Sequence, residues 1–178
     1  MSFWDTVKGW FNIGGVTVKI TRVEDPFPSQ DTVMKGNYTL TTKIPKTVLS
    51  TQVEFYAEEK YREREKEGEE EKEKTNRISL GSYNSTDVIA GDDYPFDLAA
   101  GESRQMSFIL VDVNVDGIVG RMRKKGGFVG TLGQAAQFTA SFSAPVELRY
   151  YLQVTADVKG AAFDPSDTVP IRVMPGKS

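Results

Sequence analysis

The sequence predicts an all-β protein, an antiparallel β-sandwich, and three observations carry that prediction. The first is an unbroken alternation near the C-terminal end. Val146, Leu148, Tyr150, Leu152, Val154 and Ala156 alternate with Glu147, Arg149, Tyr151, Gln153 and Thr155. Period two over that length marks a long strand with one buried face and one wet face. The second is the spacing of the other alternating stretches, which are short and separated by turn residues. Parallel βαβ units would instead interleave strands with helical periodicity. The third is a chain of 178 residues without cysteine, long enough to bury a sizeable core and without disulfides to replace one.

Taken in order, the first strand is expected at Val16, Val18 and Ile20, which alternate with Thr17, Lys19 and Thr21. Asp25-Pro26-Phe27-Pro28 ends it, because proline cannot donate to a ladder. Lys35-Gly36-Asn37 reads as a turn before a strand from Tyr38 to Thr42, and Ile44-Pro45-Lys46 breaks that strand. The pattern resumes from Val48 to Ala57 with Val53, Phe55 and Ala57 on one face. Further strands are expected at residues 77–80, 86–90, 105–115 and 136–142. Asp164-Pro165-Ser166-Asp167 is a turn cluster after the long strand, and Val169 to Val173 closes the chain as a short one. The expected core is Val18, Ile20, Leu40, Val53, Phe55, Phe96, Leu110, Leu148, Tyr150, Leu152 and Ile171.

Two stretches depart from the pattern. Residues 58–74 hold nine Glu against six Lys or Arg, with only Tyr61 and Gly68 uncharged. As a helix this stretch would have mixed i,i+4 pairs and a break at Gly68. As a hairpin prolonging the strand at 53–57, it would gather Arg62, Arg64 and Lys66 on one face and Glu63, Glu65 and Glu67 on the other. The strand leading straight into it favours the hairpin, either as a docking arm or as a solvated protrusion that discourages edge pairing. The second departure is the first twelve residues. Phe3, Trp4, Val7, Trp10 and Phe11 recur at helical spacing, and Gly14-Gly15 releases the chain into the first strand. Such an amphipathic helix caps an open end of a sandwich, contacts a membrane interface, or serves a partner.

The residues that carry most chemistry are missing. Without histidine or cysteine, no His-dependent triad, His-ligated zinc or thiolate site exists in this chain. No serine sits in a recognisable nucleophile elbow, so no enzyme activity and no cofactor is expected. Asp92/Asp93 and Asp164/Asp167 are turn carboxylates. Asp112-Val113-Asn114-Val115-Asp116-Gly117 matches the opening of a calcium loop, but Arg123 stands where the closing glutamate belongs. On a strand those three side chains would also step about 7 Å apart, with Asp116-Gly117 as a hairpin turn, so no metal site is expected. The Gly-rich basic stretch around Arg121, Arg123, Lys124 and Lys125 lacks the Gly-Lys-Ser/Thr ending of a phosphate loop. It reads as a solvent loop or an attractor for an acidic segment or anionic lipid. A net charge of −3 gives no drive toward nucleic acid. With no long apolar run and no signal-like N-terminus, the expectation is a cytoplasmic domain.

Several motifs together resemble the arrestin family. Lys35-Gly36-Asn37-Tyr38-Thr39-Leu40 followed by residues 48–58 resembles the arrestin segment in which a glycine turn opens one strand and leads into the next. Ala90-Gly91-Asp92-Asp93-Tyr94-Pro95-Phe96-Asp97-Leu98 is similar to that fold's Gly-x-x-x-x-Pro-Phe-x-Leu stretch. Residues 148–156, the ending Phe163 to Val173, and the leading Met1-Ser2-Phe3-Trp4 resemble the bacterial sporulation-control branch. The resemblance spans residues 16–173. It implies an immunoglobulin-like sandwich, placed at 16–174; the residue patterns add a helix and linker at 1–15 and the charged arm at 58–74, which is unusual for the family. It further implies a cytoplasmic regulatory or scaffold module that binds a protein partner. The candidate surfaces are sheet edges, the arm at Arg62, Arg64 and Lys66, and the helix at Trp4, Trp10 and Phe11. The alternative is a peripheral membrane or self-assembling protein using the apolar N-terminus and the Arg121–Lys125 loop.

Overall fold

The computed structural model describes residues 15–63, 72–85, 94–117 and 147–174. Its strands are β1 (Val16–Val23), β2 (Phe27–Pro28), β3 (Met34–Thr42), β4 (Lys46–Glu63), β5 (Lys72–Asn84), β6 (Phe96–Leu98), β7 (Ser103–Leu110), β8 (Glu147–Val158), β9 (Ser166–Ile171) and β10 (Val173–Met174). Two antiparallel sheets form. One has the order β1-β3-β7, the other β5-β4-β8-β9, with β6 pairing the first residues of β4. The short β2 and β10 pair in parallel beside them. The sandwich expected from the alternation is therefore the fold.

Alternation is what places the core. Val16, Val18, Met34, Tyr38, Leu40, Met106, Phe108 and Leu110 face inward from one sheet; Val53, Phe55, Ala57, Leu152, Val154 and Ala156 meet them from the other. Of the expected core, Ile20, Leu148 and Tyr150 are only half-buried and pack on its margin. Phe27, in the segment read as a strand terminator, is fully buried and meets the Phe55 ring edge-on at 5.6 Å. A buried hydroxyl bridge joins the two sheets. Thr51 Oγ1 lies 2.7 Å from Tyr38 Oη and 2.9 Å from Tyr94 Oη, while the Thr51 amide donates to Ser85 Oγ at 2.7 Å.

The structure corrects three sequence expectations. Gly36 is no turn; it lies inside β3, opposite Phe108 of β7. A Cβ at Gly36 would stand 2.4 Å from the Phe108 ring and 2.6 Å from the Arg22 carbonyl oxygen, so the glycine permits a close approach within the sheet. The strand expected at 105–115 ends at Leu110. Beyond it, Val113 N–H donates to the Thr32 carbonyl and Asn114 N–H to the Leu80 carbonyl, which ties the segment to both sheets. Asp116-Gly117 is no hairpin turn either. Residues 115–117 begin a helical turn, and Asn114 Oδ1 accepts the Gly117 N–H at 2.8 Å as its N-cap. The strands expected at 86–90 and 136–142, and the helix at 1–12, lie outside the described residues.

Candidate interaction surfaces

The charged stretch is a hairpin, as its leading strand predicts. β4 and β5 pair to Glu63↔Lys72, with a bulge between Phe55 and Tyr56, whereas among the described residues β8 accompanies β4 as far as Lys60↔Glu147. From Tyr61 on, the strands are a two-stranded ribbon among the described residues. Its register places Arg62 opposite Glu73 and Glu63 opposite Lys72. Sliding the register one residue in either direction would set Arg62 against Lys72 or Lys74, and Glu63 against Glu71 or Glu73. Like charges directly opposite are destabilising, so the alternating charges disfavour both one-residue slips in a ribbon whose register runs on from the core-backed part of β4 and β5. Arg64, Lys66 and the arm's tip lie outside the described residues.

At the arm's root the outer face of the sheet carries an aromatic and cationic stack. Arg77 holds its guanidinium carbon 3.5 Å above the Tyr56 ring, pairs with Glu54 and donates to Gln153 Oε1 at 2.8 Å. Tyr56 in turn stacks on Tyr151 with centroids 5.5 Å apart. Tyr56 is buried on a face that otherwise meets solvent, and that burial raises its phenol above the ordinary value. Nothing in the sequence pattern marked this stack; Tyr56 and Arg77 are 21 positions apart, and only the β4–β5 pairing brings them together.

Four strands form the lateral edges of the two sheets, and they are guarded unequally. β9 carries Pro170. β5 is rich in charge, with Lys72, Lys74 and Arg77. On β1, Asp167 Oδ2 accepts the outward Ile20 N–H at 2.8 Å. β7 has one charged residue, Arg104, and from Gln105 to Leu110 no charge or proline. Among the described residues it pairs only with β3. Among the described residues, β7 is the edge strand that lacks these devices.

The calcium-loop match does not become a cage. Asn114 is spent as the helix cap, Val113 and Val115 point into the core, and Asp112 adopts φ 57° at the bend. Among the described residues no group of His, Cys, Asp or Glu is arranged to hold a metal ion, and no helix is long and apolar enough to cross a membrane. Trp4, Trp10, Phe11, Arg121, Arg123, Lys124 and Lys125 lie outside the described residues.

This geometry defines an arrestin-like all-β sandwich with a charged two-stranded ribbon among its described residues. No family model matches the chain, and no curated protein matches it. Solved structures do. The crystal structure of Spo0M, sporulation control protein, from Bacillus subtilis matches with a TM-score of 0.53 at 17% identity. The match covers 90% of this chain and 50% of that one, so this chain spans about half the length of Spo0M. At that identity the likeness establishes a shared fold.

Proposed function

We propose that this domain is a non-enzymatic regulatory scaffold that binds a protein partner in the cytoplasm. The observation that carries the reading is the β4–β5 ribbon. Among the described residues it continues past the last β8 pairing, and its alternating charges disfavour a slip by one residue. Such a ribbon offers a stiff, charged surface on a sandwich that holds no histidine or cysteine for catalysis. The structural neighbour is itself a sporulation control protein, which supports a regulatory role of the same kind here. The β7 edge, which among the described residues pairs only with β3, is a second candidate surface, suited to an added strand.

Affinity capture from a native extract tests this reading. The full chain is compared with a variant whose residues 64–71 are replaced by Asn-Gly, which closes Glu63 to Lys72 in a two-residue hairpin and leaves the sandwich intact. A partner held by the full chain and lost by the variant, with the loss reproduced using purified partner, is the expected outcome. Equal capture by both moves the partner surface away from the arm. Specific capture by neither overturns the scaffold reading.

A further inference from the structure

Among the described residues, three loops with exposed apolar side chains meet at one end of the sandwich. They are residues 43–45 between β3 and β4, 99–102 between β6 and β7, and 159–165 between β8 and β9. Ile44 is 53% exposed and Phe163 72%, the latter the most exposed large hydrophobic among the described residues. Pro45, Ala99, Ala100 and Ala162 are exposed around them. Lys43, Lys46 and Lys159 stand at this end with Asp97, Glu102, Asp157 and Asp164, so it carries little net charge. Two of those carboxylates already have partners: Asp97 accepts the Thr47 hydroxyl, and Glu102 accepts the Ala99 N–H. A charge-balanced, loop-built apolar surface suits an uncharged apolar occupant better than an anionic one.

The chain itself delivers such an occupant to this place. Gly15 is fastened to the 42–44 turn: its carbonyl oxygen accepts the Thr42 hydroxyl at 2.8 Å and the Lys43 N–H at 3.4 Å. A Cβ on Gly15 would lie 3.3 Å from Ile44 Cγ1, and its φ of 78° favours glycine and turns the chain sharply. The fourteen residues before it carry Phe3, Trp4, Val7, Trp10 and Phe11. Each large aromatic presents on the order of 150–250 Å² of apolar surface, and an uncovered stripe of four exceeds what a soluble domain usually leaves open. Reach restricts the choice of cover. As the twelve-residue helix that its spacing predicts, the segment is about 18 Å long. The other exposed apolar group, Val33, Ile109 and Val111, lies at the far end of the nine-residue β3, about 30 Å away.

We infer that the end of the sandwich formed by Ile44, Phe163 and the 99–102 loop is the docking surface for the chain's own first fourteen residues, Trp4 and Trp10 foremost. This inference is independent of the arm as a partner surface.

Trp4 and Trp10 are the only two tryptophans in the chain, so their fluorescence reads the contact directly. Emission and acrylamide quenching are recorded for the full chain, for Ile44→Asp, for Phe163→Asp, and for Ile109→Asp at the far end as control. All three sites are exposed, and circular dichroism checks that the strands persist. The expected result is a blue-shifted, quench-protected emission that does not depend on protein concentration. Ile44→Asp or Phe163→Asp should shift it to the red and remove the protection, and Ile109→Asp should leave it alone. Solvent-like emission in the parent chain overturns the inference. So does protection that survives both Ile44→Asp and Phe163→Asp, that appears only at high concentration, or that needs phosphatidylcholine vesicles.

Discussion

At the scale of single residues, the sandwich rests on positions whose roles are set by contacts far away in sequence. Gly36 is the clearest. Its strand passes so close to Phe108 and to the Arg22 carbonyl that a methyl group has nowhere to go. Gly36→Ala is therefore expected to destabilise by about 1–3 kcal/mol, the range for overpacking a filled core. Gly101→Ala is the matched control, because no atom lies within 4 Å of its Cβ position and only the φ of 78° opposes it, at about 1–2 kcal/mol. Urea midpoints of the two variants check the order; a Gly36→Ala variant as stable as the parent would remove the close-approach argument. Thr51 makes a second case. Thr51→Val keeps the shape but takes away the hydroxyl between Tyr38 and Tyr94, which should cost about 1 kcal/mol by the same measurement. Neither role was legible in the sequence. Gly36 looks like a turn because glycine between Lys35 and Asn37 is the local signature of one, and Phe108 is 72 positions away. Period-two patterning, in contrast, identified Val18, Leu40, Val53, Phe55, Leu110 and Leu152 as buried, because alternation is a local property of a half-buried strand.

At the scale of elements, the arm shows how a ribbon that runs on from the core can resist slipping. Because both one-residue slips oppose like charges, the alternating Glu and Arg or Lys reinforce the register that the buried part of β4 and β5 sets. Arg62→Glu sets an acid opposite Glu73 and should lower stability by about 0.2–1 kcal/mol, or fray the arm first; adding Glu73→Arg should restore it. Amide hydrogen exchange at Tyr61, Arg62 and Lys74 reads the fraying. If the double variant exchanges as fast as the single one, pairing across the register is not what holds the arm. The hairpin was legible because an alternating strand led into the charged run. The end of β7 was not. Val113 and Val115 carry apolar alternation past Leu110, one position out of phase with it, yet Asp112 turns the chain and Asn114 caps a helix, so these two valines reach the core from a bend while Val111 stays exposed. Alternation reports which side chains are buried, and a bend can satisfy it as well as a strand can.

At the scale of the whole molecule, the first and last parts of the chain close on each other, and that closure contains one of the two groups whose ionisation is displaced among the described residues. Arg172 N–H donates to Asp25 Oδ1 at 2.9 Å, the Arg172 guanidinium approaches the same carboxylate at 3.3 Å, and β10 pairs with β2 beside them. Such pairings leave no local trace, which is why the sequence showed strands but not their order. The Arg172 N–H, and then its side chain, hold Asp25 below its ordinary value of 3.8. A carboxylate lowered in the fold adds stability that is complete above the unfolded value and disappears as pH falls through the folded one. Tyr56 acts at the opposite limit. Burial raises its phenol above 10.0, against the opposing pull of Arg77, so the fold keeps a proton that the unfolded chain releases. Stability then declines as pH rises past the unfolded value. Urea midpoints measured across pH should therefore show a plateau with two separable limbs. Asp25→Asn should flatten part of the acid limb and leave the alkaline one, since an Asn oxygen still accepts the Arg172 N–H. Tyr56→Phe should do the reverse, and Arg77→Gln should push the tyrosine's titration higher still. If Asp25→Asn instead moved the alkaline limb, or neither limb responded to its own variant, the clasp and the stacked phenol would not be the groups that couple this fold to protons.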